Sequence, residues 1–339
     1  MEPDNVQLGP LLFCLSMIAA LCVAYIVAQS GNTHGGLRFF HVLFPPRRPR
    51  VVPWGISTIA PVLVIFLLMI SLSQWFVKQV FPGPLDFLRQ DNKAVVVETD
   101  TEISEPFTQE ELANQHPLTI LMQKSGRNPL VILVCFLTAV VVAPLTEEFV
   151  FRVVFQGGIE ATLRREFGQT VMAKWFPVVI TALFFAAIHF RLPSQPEIDQ
   201  QYIDQLFRAM MGTMIGSLIA AAIVIVIFRG YYRIRRSDIG LWDFRRIGRD
   251  ALGALLLLLM TGIPILIVKF AVGMFAKSDW AAALGLSSSM FDPVPLFLFA
   301  LVIGTLYYRT RRFASVFFLH AFFNLYSFLI LLYLTFGID

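Results

Sequence analysis

Pro129-Leu-Val-Ile-Leu-Val-Cys-Phe-Leu-Thr-Ala-Val-Val-Val-Ala143-Pro144-Leu-Thr-Glu147-Glu148-Phe-Val-Phe-Arg152 decides the fold. Its first half is an almost unbroken apolar run, continuous rather than alternating, so it reads as a helix buried on all sides or facing lipid. Its second half places two carboxylates and a guanidinium in the same run. Ionisable groups within a membrane span are costly and mark function. Two further polar pairs at helical spacing lie in later apolar runs: Phe185 with His189, and His320 with Asn324.

The rest of the chain extends this pattern. Of its 339 residues 57% are hydrophobic and 15% are charged, and the mean hydropathy is +0.70. A soluble domain carries about 25% charged residues. The deficit, with repeated apolar runs of roughly 15–25 residues, indicates a polytopic membrane protein. Only helices and closed barrels satisfy their backbone in hydrocarbon. The expected fold is therefore an all-α transmembrane helix bundle with about eight spans, near 10–29, 57–80, 129–157, 175–190, 211–229, 250–276, 294–308 and 314–336.

The net charge of +4 and pI near 9.0 do not argue for nucleic acid, because the basic residues cluster between spans, where they set topology. Arg47, Arg48 and Arg50, then Arg164, Arg165 and Lys174, then Arg229 to Arg249, then Arg309, Arg311 and Arg312 fall in alternate loops. Those loops are expected on the cytoplasmic side and both termini outside, which agrees with an even span count. The acidic N-terminus lacks the basic start of a cleaved signal peptide, so the first run is expected to be a retained span. Cys14, Cys22 and Cys135 lie in apolar runs and form no ligand spacing or disulfide framework.

Residues 1–128 read as two spans followed by an acidic extracytoplasmic loop from about 81, with Val95-Val96-Val97 as a short strand candidate. Gly212 and Gly216 make a small-xxx-small pair for close helix packing. Ser287-Ser288-Ser289 has no nearby histidine, and no paired intramembrane aspartates occur, so the serine and aspartyl classes of membrane protease fit poorly.

The three motifs carry the chemistry. Glu148 and Arg152 are four apart and share a helix side, where they neutralise each other. Glu147 points about 100° away and is the candidate general base. His320 and Asn324, one turn apart, can donate toward one point, as an oxyanion hole requires. Of five histidines, only His189 and His320 fall within spans. Measured from residue 157, Lys174 and Arg312, the four polar groups lie about 12–22 Å deep at 1.5 Å per residue, so they can converge at one level.

In this order, Glu147-Glu148-x-x-x-Arg152, Phe185-x-x-x-His189 and His320-x-x-x-Asn324 resemble the CAAX protease and bacteriocin-processing family of membrane proteins. That family includes the type II CAAX prenyl endopeptidases and the bacterial self-immunity, or Abi, proteins. Ala143-Pro144 and Gly304-Thr-Leu-Tyr-Tyr-Arg-Thr agree in context. About 130 residues separate the last two motifs, more than is usual in the family, and two extra spans at about 206–290 account for them. Residues 129–339 then form a protease-like core interrupted by that insertion.

The resemblance implies peptide-bond hydrolysis. Water would be activated by Glu147 with His189, the oxyanion held by His320 and Asn324, and the site supported by Glu148 and Arg152. Glu147, His189 and His320 are the candidate ligands if a divalent metal such as zinc takes part. A metal-free mechanism is preferred, because asparagine suits oxyanion donation better than zinc ligation. The implied partners are the lipid bilayer and a peptide or membrane-protein substrate. The implied location is the inner membrane of a bacterium. The alternatives are a proton- or ion-coupled transporter using the same residues as a relay, and a non-catalytic self-immunity protein. The Pro positions 144, 177 and 264 do not form the matched halves of an inverted-repeat transporter.

Overall fold

A computed structural model describes residues 52–83, 85, 88, 117–125, 128–189, 199–234, 246–276 and 293–336. The first expected span, most of the acidic loop with its strand candidate, the serine triplet, Cys14, Cys22, His34, His41 and His116 lie outside the described residues. Among the described residues there are eight helices and no strand. They are α1 (Ile59–Val80), α2 (Pro117–Lys124), α3 (Pro129–Phe167), α4 (Val171–Ile188), α5 (Gln200–Tyr231), α6 (Ile247–Ala276), α7 (Pro293–Thr310) and α8 (Phe313–Phe336). All but α2 are long and apolar enough to cross a membrane, so the protein is an all-α, multi-pass membrane protein. Leu67, Leu68, Trp75 and Phe76 on α1 are each more than half exposed, a face that suits acyl chains and not water.

The helix ends follow their local chemistry. Asn128 accepts from Leu130 N and Val131 N and is followed by Pro129 at the first helical position, a strong start signal. Thr170 caps α4 by accepting from Ala173 N at 3.2 Å.

Helix α3 departs from a plain span in two ways. It continues to Phe167, ten residues beyond the expected end at 157, which removes the reference point of the depth estimate. It is also composite. Six residues, Leu137–Val142, and eight residues, Phe149–Gln156, are π-helical and bracket the α-helical Ala143–Glu148. Pro144 supplies the reason for the first π segment. It has no N–H to give to Val140 or Ala139, and the Ala143 N–H reaches back to Thr138 O. The Ala139 carbonyl is taken by Asn324 Nδ2 at 2.8 Å.

The chain divides into two compact units, neither continuous in sequence. In the first, Met1–Leu63, Pro144–Leu192 and Val224–Phe323, α4 packs along α7, and both the later part of α3 and α6 join that pair. Trp54 is fully buried. Its indole donates to Val153 O at 3.3 Å, and its ring lies 4.7 Å from Phe228. Arg165 closes this end by donating to the carbonyls of Val52 and Pro53, each at 3.0 Å.

In the second unit, Val64–Ala143, Pro193–Ile223 and Asn324–Asp339, Leu121, Met122, Val131, Cys135, Phe207 and Phe328 form the core. A Cβ on Gly212 or Gly216 would come within 2.6 Å of the backbone at Gln74 or Ile70. Helices α1 and α5 therefore meet backbone to backbone, as the small-xxx-small spacing predicts.

Candidate functional site

The first unit gathers six of the seven motif side chains, all but Asn324. Glu148 is the hub. Its Oε2 accepts from Arg152 Nε at 2.9 Å, and its Oε1 lies 2.8 Å from His320 Nδ1. A carboxylate only accepts, so the His320 proton sits on Nδ1. Its Nε2 is thereby turned toward Glu147 Oε2, 3.9 Å away.

His189 reaches the same oxygen from the other side. Its residue ends α4, where helix carbonyls lack intrahelical partners, and its Nδ1 donates to Phe185 O at 2.7 Å. Its Nε2 lies 4.0 Å from Glu147 Oε2. Two imidazoles, each fixed through Nδ1, thus present Nε2 to one carboxylate oxygen. Both separations exceed a direct hydrogen bond and match the reach of a bridging molecule.

Phe185 explains the second motif. Its ring is 4.7 Å from the His189 ring and 5.7 Å from the His320 ring, and the Arg152 guanidinium lies 5.7 Å from its centroid. Phe299, fully buried, meets His320 edge-on at 5.7 Å. Together these aromatic walls hold the imidazoles in place.

Exposure divides the site. The side chains of Glu148 and Arg152 are 0% exposed and His320 is 5% exposed, while Glu147 and His189 are 26% and 31% exposed. Glu147 and His189 form an open half, and Glu148, Arg152 and His320 a closed half. Asn324 belongs to the second unit, where one of its amide protons goes to Ala139 O.

Glu147, His189 and His320 are the right donor types for zinc, and their Nδ1 partners are of the kind that orient metal-bound histidines. Tetrahedral ligands at zinc distances lie about 3.4 Å apart, and here the carboxylate-to-imidazole separations are wider. Among the described residues no three His, Cys, Asp or Glu side chains are placed to hold a metal ion. As arranged, the set does not fit, and the chemistry below uses side chains alone.

Sequence reasoning missed the supports of the closed half. Gln156 Nε2 donates to Gly304 O at 2.9 Å. A Cβ on Gly304 would stand 3.3 Å from Arg152 Nη1 and 3.2 Å from Gln156 Oε1, so the missing side chain gives both groups their room. The signal was present as fourfold spacing from Glu148 through Arg152 to Gln156.

No curated protein and no solved structure matches the chain. A family model does match residues 129–242, that of the type II CAAX prenyl endopeptidase Rce1-like proteins. The match contains the first two motifs and stops short of His320 and Asn324, which lie downstream on α8. Over residues 129–242, with its glutamate pair, its arginine and the histidine that closes α4, the chain is thus similar to the Rce1-like family of CAAX membrane proteases, as its motifs lead one to expect.

Proposed function

We propose that the protein is an intramembrane endopeptidase in which Glu147 is the general base. The observation that carries this reading is the convergence of His189 Nε2 and His320 Nε2 on Glu147 Oε2, at 4.0 and 3.9 Å. A water molecule held between Glu147 and His189 loses a proton to Glu147 and attacks the peptide carbonyl carbon. The resulting oxyanion lies at the Nε2 edge of His320, which donates to it when it carries a second proton while its Nδ1–H stays on Glu148. The His320-x-x-x-Asn324 motif pattern, rather than any geometry, names Asn324 as a second donor. Glu147 then returns its proton to the leaving amine as the C–N bond breaks. General bases of this kind contribute about 10²–10⁴-fold, and an oxyanion donor about 10²–10³-fold.

The substrate in this reading is a peptide or membrane protein whose scissile bond lies near the bilayer. The Rce1-like match and the exposed apolar helix faces support it. The basic loops support a bacterial inner-membrane orientation with both termini outside.

The test is cleavage of a membrane-tethered peptide library by purified wild type and Glu147→Ala, with and without chelator. Cleavage that is lost on substitution and survives chelation is the expected result. Loss in chelator would bring a metal into the mechanism, and equal cleavage by both proteins would remove Glu147 as the base. A transporter in place of a protease would show no cleavage by either protein and substrate-dependent proton uptake in vesicles.

A further inference from the structure

The polar residues of α3 do not stop at the site. From Glu148 they recur at every fourth position: Arg152, Gln156, Glu160 and Arg164. All five are buried, at 0%, 0%, 0%, 3% and 7% exposure. A catalytic pair accounts for the first two only. Buried polar side chains are costly unless they are paired, so the remaining three call for their own explanation.

Each of these three has a partner from α7 or from the turn that leads to α8. Gln156 binds Gly304 O. Glu160 pairs with both Arg164, at 2.7 Å, and Arg311. Arg164 Nη2 also donates to the Tyr308 hydroxyl at 3.3 Å, and the Arg311 guanidinium lies 5.6 Å from the centroid of the buried Tyr307 ring.

These partners do not satisfy the seam. Arg152 Nη1 and Nη2, Gln156 Oε1, Glu160 Oε2, Arg164 Nε and Arg311 Nε are buried atoms without a protein hydrogen-bond partner. More than about 90% of buried polar groups in folded proteins have one, and buried water is the usual supplier, making about three bonds each. The spacing suits it. Glu148–Arg152 and Glu160–Arg164 are bonded directly; between them, from Arg152 to Gln156 and from Gln156 to Glu160, residues four apart rise by about 6 Å, which two hydrogen bonds of about 2.8 Å each through one water nearly span. The unpartnered atoms run donor, acceptor, acceptor, donor from Arg152 through Gln156 and Glu160 to Arg164, and water, which both gives and takes protons, can serve either kind.

We propose that the seam is a water-bearing path inside the first unit, running from the closed half of the site at Glu148, Arg152 and His320 to the charged helix end at Arg164 and Arg311. Exposed Arg165 and Glu166 mark the aqueous boundary there. The 39 residues of α3 exceed the roughly 20 that a hydrocarbon core of about 30 Å needs, and its exposed charged residues put the excess at this end. The water is predicted from the seam itself. Its use, which is to resupply water and exchange protons with the closed half, rests on the hydrolase reading.

X-ray hydroxyl-radical footprinting of the purified wild type in ¹⁸O-enriched water tests this, because radicals form at bound water and mark the side chain beside it. Tyr307 is the reporter on the seam, Phe228 is an equally buried aromatic off it, and Tyr231 is an exposed control. The expected result is ¹⁸O label on Tyr307 and none on Phe228. Gln156→Leu, which keeps bulk and removes the amide, should lose the Tyr307 label and keep that of Tyr231. An unlabelled Tyr307 in the wild type overturns the path and leaves the protease reading untouched. A labelled Tyr307 in a protein that cleaves nothing keeps the path and removes that reading. A Tyr307 label unchanged by Gln156→Leu overturns the role of the seam.

Discussion

The two adjacent glutamates differ in everything but type. Glu148 receives Arg152 and His320 and is sealed from solvent. Glu147 faces two imidazole edges and is 26% exposed. Glu148→Gln removes a charge that balances a buried guanidinium, and breaking such a pair costs about 3–5 kcal/mol. Thermal unfolding of the purified protein should show that loss as a clearly lowered midpoint. Glu147→Gln should leave the midpoint near that of the wild type and abolish cleavage. If the two substitutions destabilise alike, the division into base and hub fails. The Glu148–Arg152 pair was legible from its four-residue spacing alone. The bond from His320 to Glu148 was not, because 172 residues separate the partners and no local rule spans such a distance.

At the scale of the element, the first π segment of α3 owes its shape to one residue. Pro144 withholds the N–H that Val140 or Ala139 would receive, and Asn324 supplies a donor to Ala139 O instead. Asn324 thus has a structural task besides any catalytic one. Asn324→Leu should lower stability by at most about 1–3 kcal/mol, by leaving the part-buried Ala139 carbonyl unpaired. In a Pro144→Ala background the restored N–H can take that carbonyl, so the same substitution should cost less. A double-mutant cycle read by thermal unfolding measures the difference, and neighbours coupled in this way deviate from additivity by about 0.5–3 kcal/mol. Additive losses would show that the proline and the asparagine do not share the carbonyl. Hydropathy located the helix but not its π segments, because apolar runs look alike whether the backbone closes on the fourth residue or the fifth.

For the whole molecule, composition alone gave the class. A chain this apolar and this poor in charge has no aqueous fold open to it, and the seven described spans lie close to the expected ones. Their ends moved where polar residues continue a helix past the hydrocarbon, at Phe167 and at Gln200. The alternation of arginine-rich loops makes a definite claim about sidedness. Fusions at residue 339 should be active with a periplasmic reporter and dark with a cytoplasmic one, and fusions after residue 234 should do the reverse. The opposite pattern would invert the topology and place the arginine-rich end of the buried seam outside the cell.

The bracketing of Ala143–Glu148 by π turns has a consequence for insertions and deletions. A π segment holds one residue more than the α-helix it replaces. Deleting a single valine from Leu137–Val142 would leave hydropathy and every motif intact. The five residues left can close as plain α-helix, so the downstream glutamates keep their direction relative to the start of the helix. The same deletion from the α-helical start of the helix, Pro129–Phe136, has no spare residue to absorb it and would turn both carboxylates through about 100°, away from their histidines.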